Sequence, residues 1–535
     1  MIYFTLPSTN NLIYKFIDCV FSDDEPENVF DISQTCNKSI IEISNSLSFY
    51  LYEIKNKIKN YEKEWDMYKK YTNPYEFINT IVPGKSKCVA KYKPLSRSYF
   101  KMIELLQFFV YDEFDIFTNS RVENTTGNVI SRQQHVSDLH DNYPGVDKYK
   151  KSIRTFHLAE GPGGFIEAIA NARNNPNDVY IGITILETKT IHHKNSGKYN
   201  KTVPGWKKSE YFLKTHPNIH IETGADKTGN ILSIENFLHC RTKYASSMDF
   251  ITADGGFDFS ADFNNQEMNV TQLLFAQVCY ALCLQKYNGT FILKVFDCFM
   301  QHTVDILYIL SAFYETVYIT KPKTSRYANS EKYIVCKNFL LFDDSSIFSC
   351  LKMAFQKMVN SERNIYRFLK IPVPSYFVYK LEEYNTIFGQ QQIESINQTI
   401  SLIEQIRTEV YVCRENDIFT PSRNNVTLPP ESPPEWGYLN WQRCNEEGIY
   451  NINSSELCST ELESLPSQGR NDKIFRNLKN GAEKYSFRTS SSENRRVFDN
   501  EVTQSSKINN LMRVNIRKCI QWCLHHNISY NIMDE

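Results

Sequence analysis

Between residues 150 and 340 the chain alternates strand and helix patterns, and that alternation limits the fold more than any other feature. Thr155–Ala159, Val179–Ile185, Ile219–Glu222, Asp249–Ala253 and Gly289–Phe296 are short runs rich in β-branched and aromatic residues. Gly164–Arg173, Val270–Gln285 and Thr303–Phe313 carry helical spacing between them. Strands that alternate with helices predict an α/β fold, a mainly parallel sheet with helices on both faces. Glu315–Thr320 and Lys332–Lys337 follow closely on one another and predict an antiparallel edge.

A chain of 535 residues exceeds one ordinary core. Mixed three- and four-residue apolar spacing over Ile40–Tyr71 predicts a helical extension across 1–80, ahead of a core at 81–340. A second helical extension is expected over 341–414, led by Ile393–Glu409. Pro421, Pro429, Pro430, Pro433 and Pro434 then open a Ser/Asn/Glu/Arg-rich stretch, so 415–507 reads as irregular linker or insertion. The amphipathic run Asn509–Asn527 predicts a closing helix within 508–535, suited to dock on the body.

With 41% hydrophobic residues the composition suits a globular protein. No apolar run approaches the ~18–20 residues of a membrane span, and Met1–Phe16 lacks a secretion signal. The expected setting is intracellular, cytoplasm (a viral factory or virion included) or nucleus, with no membrane partner. The 14 cysteines are dispersed and form no CxxC pair, which suits reduced, buried thiols. Cys519 and Cys523 lie one helical turn apart beside His525 and His526. A zinc site needs four converging ligands, so no metal is expected. A net charge of −1 carries no global nucleic-acid signature. Locally, Lys85, Lys87, Lys91, Lys93, Arg97 and Lys101 run without an acid, interleaved with Tyr92, Tyr99 and Phe100. Cations of this kind suit phosphates and rings suit bases, although a charge run is as often simply solvated.

The strand at Thr155–Ala159 leads into Glu160-Gly161-Pro162-Gly163-Gly164-Phe165 and a helix. A glycine turn lets a ligand approach the backbone, and the helix start offers free N–H groups. The spacing is neither GxGxxG nor GxxxxGK[ST], which argues against nicotinamide, flavin and ATP. An acid at the strand end with no phosphate cradle suits a cofactor with a cationic amino-acid end, such as S-adenosylmethionine. Asp226, after the third strand, is a candidate acceptor for an adenine amino group; a turn or cap role is equally compatible.

Three segments carry a specific resemblance: Thr252-Ala253-Asp254-Gly255-Gly256-Phe257, Ile292-Leu293-Lys294-Val295-Phe296-Asp297, and Lys321-Pro322-Lys323-Thr324-Ser325-Arg326-Tyr327-Ala328-Asn329-Ser330-Glu331-Lys332-Tyr333. With Asn73-Pro74-Tyr75-Glu76, Ser96–Lys101 and the glycine turn, they make residues 65–410 resemble the eukaryotic and viral messenger-RNA cap 2′-O-methyltransferases of the FtsJ-like (RrmJ-like) superfamily. The resemblance implies a Rossmann-like methyltransferase sheet. It implies S-adenosylmethionine held by Ser96, Glu160, Gly161, Pro162, Gly163, Gly164, Phe165, Thr184, Asp226 and Asp254. It implies a catalytic tetrad of Lys101, Asp254, Lys294 and Glu331, and substrate contacts from Lys69, Arg97, Arg326 and Asn329. Thr184 stands where many methyltransferases place a ribose-binding acid, with Glu187 three residues on, so the ribose contact departs from the common pattern.

The implied chemistry is removal of a ribose hydroxyl proton by Lys294. A lysine base needs its proton affinity lowered, which a neighbouring cation and exclusion of water both do. Lys101 is that cation, and Asp254 and Glu331 hold the amines. The implied partners are capped RNA and the capping or transcription machinery. The same chemistry on ribosomal or transfer RNA, or a degenerate RNA-binding subunit on the same fold, are the alternatives.

Overall fold

The computed structural model describes residues 1–10, 13, 30–34, 43–110, 151–186, 205–206, 209–256, 264–361, 364–418 and 506–533. Contacts divide the chain into Met1–Thr408 with Val502–Glu535, and Glu409–Glu501. All that follows concerns the first unit. The expected linker falls mostly outside the described residues, as does Glu187.

Eight strands form the main sheet: β1 Ile2–Thr5, β3 Arg154–Leu158, β4 Val179–Ile183, β5 Ile219–Glu222, β6 Met248–Ala253, β7 Gln285–Val295, β8 Tyr314–Lys321 and β9 Lys332–Phe339, in the order β1-β8-β9-β7-β6-β3-β4-β5. Pairing is parallel from β5 through β4, β3 and β6 to β7. It is antiparallel for β7–β9, β9–β8 and β8–β1. The expected sheet and its antiparallel edge are therefore both present. The chain builds outward from β3 to β4 and β5, then returns to lay β6 and β7 on the other side. In open sheets the carboxyl ends beside such a reversal are where ligands bind.

The α-helices of eight residues or more among the described residues are α1 Asn45–Lys57, α2 Glu62–Thr72, α3 Ser98–Leu105, α4 Gly164–Arg173, α5 Ile234–Tyr244, α6 Thr271–Leu284, α7 Gln301–Phe313, α8 Phe348–Val359, α9 Ser375–Ile418 and α10 Ser506–His525. Helix α6 is buried along nearly its whole length, since it lies on the sheet and is covered by α5 and α8; a helix buried all round reads as uniformly apolar. Phe237 of α5 stacks on Phe355 of α8 at 4.7 Å, which closes that outer layer.

The N-terminal segment is not simply helical, as expected from its spacing. Its first residues form β1, registered Ile2 to Lys321 on β8. An unpaired β8 edge would expose a row of backbone donors and acceptors, and β1 covers it. Phe30–Gln34 (β2) pairs with Ile365–Leu369 (β10), which also interrupts the expected helical extension after 341. The long helix there starts at Ser375 rather than Ile393, and the last helix starts three residues before Asn509.

Candidate active site

The glycine turn follows β3 at the reversal. Gly163 has φ 105° and caps α4, a left-handed conformation that favours glycine. A Cβ on Gly164 would stand 2.2 Å from the Ser96 hydroxyl, so only glycine lets the turn close against the segment leading into α3. Glu160 folds back beneath the turn. Its Oε1 accepts from the amides of Phe165 at 2.7 Å and Ile166 at 3.3 Å. Its Oε2 is buried with no hydrogen-bond partner among the described residues. Burial, then the neighbouring Asp254 charge, pushes this carboxyl up to about 8.

Thr184 follows β4 and is nearly buried, packed against Gly161. Trp206 was not singled out in the sequence, yet its ring lies against Gly163 and Gly182 and walls the turn. The Ser209 hydroxyl donates to the Pro162 carbonyl. Asp226 is exposed and its Oδ1 accepts from the Thr228 amide at 2.8 Å and from Asn236 Nδ2 at 2.8 Å. That oxygen serves its own turn.

The second half of the site lies at the carboxyl ends of β6 and β7. Lys294 is the penultimate residue of β7, opposite Tyr333 on β9. Leu293 and Val295 on either side of it are buried, and Lys294 brings its amine in at the carboxyl end of this interior strand. Lys294 Nζ donates to the Asp254 carbonyl at 2.6 Å and lies 3.2 Å from Asp254 Oδ1. The Tyr333 hydroxyl donates to the same Oδ1 at 2.9 Å. Burial and then Asp254 raise the Tyr333 phenol well above its ordinary value, so it remains a donor.

Lys101 is carried by α3, between the buried Phe100 and Met102. Its Nζ meets both oxygens of Glu331, at 2.7 and 2.9 Å. It also lies 5.9 Å from the centre of the Tyr333 ring, which therefore touches both pairs. Burial alone would raise the Glu331 carboxyl, but the charges of Lys101 and Lys294 outweigh it and hold the group well below the usual carboxylate range. The four residues of the expected tetrad thus meet, as two ion pairs around one tyrosine.

Side chains not singled out in the sequence fix this arrangement. Ser325 donates to Glu331 Oε1 at 2.7 Å. Lys321 donates to the carbonyls of Asn329 and Glu331 at 2.6 and 2.7 Å; burial, then Lys332, push its amine down to about 7. Glu104, one turn past Lys101, is fully buried and accepts from the amides of Lys323 and Thr324 at 2.8 Å each. Helix α3 therefore holds the loop that carries Glu331 at two points.

The residues expected to touch substrate divide. Arg97 donates to Glu76 Oε2 at 2.7 Å and to the Thr324 carbonyl at 2.8 Å. Arg326 donates to the two Glu76 oxygens at 3.0 and 2.7 Å. Burial would raise Glu76, but hydrogen bonds from Arg326 and the charges of both arginines hold it well below the usual carboxylate range. One buried carboxylate thus ties the segment before Lys101 to the segment before Glu331. Both arginines are used within the protein, although Arg326 keeps 34% side-chain exposure. Asn329 is exposed. Lys69 lies on α2 in a pair with Asp66 at 2.5 Å, outside the tetrad's hydrogen-bond network.

A reversed α/β sheet with a glycine turn and two lysine–carboxylate pairs at its carboxyl edge is the arrangement of a Rossmann-like methyltransferase. The FtsJ-like methyltransferase family profile matches residues 94–339, and the chain carries a domain of that family. Over 202 residues it is 31% identical to cap-specific mRNA (nucleoside-2'-O-)-methyltransferase 2 of Drosophila melanogaster, covering 37% of this chain and 28% of that protein. It is 25% identical over 393 residues to cap-specific mRNA (nucleoside-2'-O-)-methyltransferase 1 of Danio rerio, covering 69% and 43%. It is 30% identical over 273 residues to the Homo sapiens protein of that name, covering 50% and 27%. The chain spans less than half the length of these relatives. A putative ribosomal RNA methyltransferase from Plasmodium falciparum overlays with a TM-score of 0.24 at 21% identity, over 35% of this chain and 87% of that one; the fold assignment rests on the strand order instead. Among the described residues no helix is long and apolar enough to cross a membrane.

Proposed function

We propose that the chain is an S-adenosylmethionine-dependent RNA ribose 2′-O-methyltransferase acting on the first transcribed nucleotide of capped messenger RNA. The observation that carries this reading is the meeting of Lys101–Glu331 and Lys294–Asp254 around Tyr333, beside the glycine turn.

The residues present fit the cofactor. Glu160 Oε2 is a buried acceptor that lacks a donor among the described residues, and a cationic amino group would supply one. The cradle would be Glu160, the turn Gly161-Pro162-Gly163-Gly164, the α4 start at Phe165, Ser96, Thr184, Asp226 and Asp254. When bound, S-adenosylmethionine supplies an electrophilic methyl group. The chain's own residues act on the acceptor. A ribose hydroxyl is a poor nucleophile while protonated. Lys294 is the proposed general base, held rigidly by β7 and oriented by both oxygens it meets on Asp254. Tyr333 fixes Asp254 from the other side. Lys101, locked by Glu331, places a positive charge beside the base, and Glu331 and Asn329 position the hydroxyl. A well-placed base contributes ~10²–10⁴-fold, and fixed orientation supplies much of the remainder.

A second feature supports a capped end over ribosomal or transfer RNA. A cleft of about 250 Å3 adjoins Asp297, just past β7, and is lined by Phe49, Tyr52, Asn264, Asn265 and Glu267. Phe49 and Tyr52 are 59% and 51% exposed. Asp297 is paired with Lys55 of the same cleft at 2.8 Å, and Glu267 accepts from the amides of Phe299 and Met300, so what the cleft offers a cationic guanine is its exposed rings, on which such a base stacks. Incubation with a labelled methyl donor tests the assignment. Capped RNA should be labelled far faster than uncapped RNA or a transfer-RNA transcript; equal labelling of all three would remove the cap specificity.

A further inference from the structure

Two stretches distant in sequence carry concentrated positive charge. Gly84 to Lys101 holds six Lys or Arg and no acid, and Ser506 to Met533 holds four Lys or Arg and no acid. The fold joins them. The Lys91 amide donates to the Ser529 carbonyl at 2.8 Å, and the Asn531 amide to the Val89 carbonyl at 2.8 Å. Asn531 Nδ2 donates to the Cys88 carbonyl at 2.9 Å, and Ala90 bridges to Tyr530. Trp522 of α10 packs edge-on against Phe100, the residue before Lys101, with ring centres 5.7 Å apart.

Helix α10 is amphipathic in a way that separates packing from charge. Ile508, Asn515, Cys519, Trp522 and Cys523 are buried against the body, and Asn515 Nδ2 donates to the Tyr71 carbonyl at 2.8 Å. Arg513, Arg517 and Lys518 lie on the exposed face, as do Lys87, Lys91 and Lys93 of the other stretch. Of the acids on the neighbouring α2, Asp66 pairs with Lys69 at 2.5 Å and Glu64 with Arg407 at 2.7 Å.

We infer that α10 and the Lys87–Lys93 stretch form one surface that binds the phosphodiester backbone of single-stranded RNA, on the side of the site away from the cap cleft. The direction follows from the neighbours. The aromatic cleft adjoins Lys294 through Asp297, and the basic surface adjoins Lys101 through Phe100. A transcript with its cap in the cleft and its first ribose at the tetrad leaves over α10. The inference rests on the reading of the site as an RNA methyltransferase, and it adds a C-terminal element that lies outside the family match.

The test uses the full chain and an end-labelled, uncapped 25-nucleotide RNA, followed by fluorescence anisotropy across a salt series. R513E/K518E and K87E/K91E/K93E should each weaken binding about tenfold. Each should also flatten the log–log salt dependence by about 0.7 per lost phosphate contact. R513Q/K518Q, which keeps good helix formers, should give a smaller shift in the same direction. The KM for a capped 25-mer relative to a capped dinucleotide should rise about tenfold in the charge-reversal variants. Wild-type affinity and salt slope in both charge-reversal sets would overturn the inference. Binding of uncapped RNA is read without methyl transfer, so this failure is separate from failure of the wild type to label capped RNA.

Discussion

The two halves of the site differ in how complete they are. Around Tyr333 every charged member has its partner, Lys101 on Glu331 and Lys294 on Asp254. Below the glycine turn, Glu160 keeps a buried oxygen without a donor among the described residues, and its carboxyl is pushed up to about 8. The acceptor half is organised by the protein alone. On the proposed reading, the donor half is organised toward a group that brings its own positive charge. Buried ionised groups are tolerated only when paired, so the difference marks where a ligand completes the structure and where it merely enters.

The predictions probe that difference. The largest effect is expected from Lys294→Ala, which should lower turnover by ~10²–10⁴-fold while calorimetry shows cofactor affinity nearly intact. Loss of cofactor binding would merge the two halves. Next, Glu76→Ala should reduce stability by roughly 3 kcal/mol, because it strands Arg97 and Arg326; denaturant melts measure this. Because Glu76 is held below the usual carboxylate range when folded, its contribution is present at neutral pH and lost as pH falls.

Glu160 sets the third. Below pH 8 its carboxyl is protonated in the free protein, so binding a cationic cofactor requires release of that proton. Cofactor affinity should rise by up to about tenfold per pH unit as pH approaches 8 and then level off. Glu160→Gln should bind more weakly and without that dependence. A flat wild-type profile would mean that Glu160 does not meet the cation. The smallest effect on cofactor binding is expected from Tyr333→Phe, which should leave calorimetric affinity unaltered while turnover falls, because it removes one hydrogen bond to Asp254, worth about 1.5–3 kcal/mol to a charged group.

Much of this was legible in the sequence because parallel strands are buried on both faces and read as short apolar runs. The helix Gly164–Arg173 and the strand Ile219–Glu222 have the expected bounds. Asp254 stood out because it ends an apolar run, and Lys294 because it interrupts one. Other features left no local trace. The strand β1 is four residues long and largely exposed, so it lacks a two-sided apolar pattern. Glu76 and Glu104 look like ordinary helix acids, yet Glu76 meets Arg326 250 positions away and Glu104 meets Thr324 220 positions away. Arg97 and Arg326 suggested RNA contacts because an arginine beside a motif gives no sign of a buried carboxylate partner. Segment 85–101 read as a basic loop, whereas α3 begins at Ser98 and sets Lys101 in place.

The most direct test of the central claim is the position of the transferred methyl group. Capped RNA treated with the protein and S-adenosylmethionine, digested to nucleotides and resolved by mass spectrometry, should carry the added methyl on the 2′-oxygen of the first transcribed nucleotide. A methyl group found on a base, or none transferred to any RNA, would contradict the account.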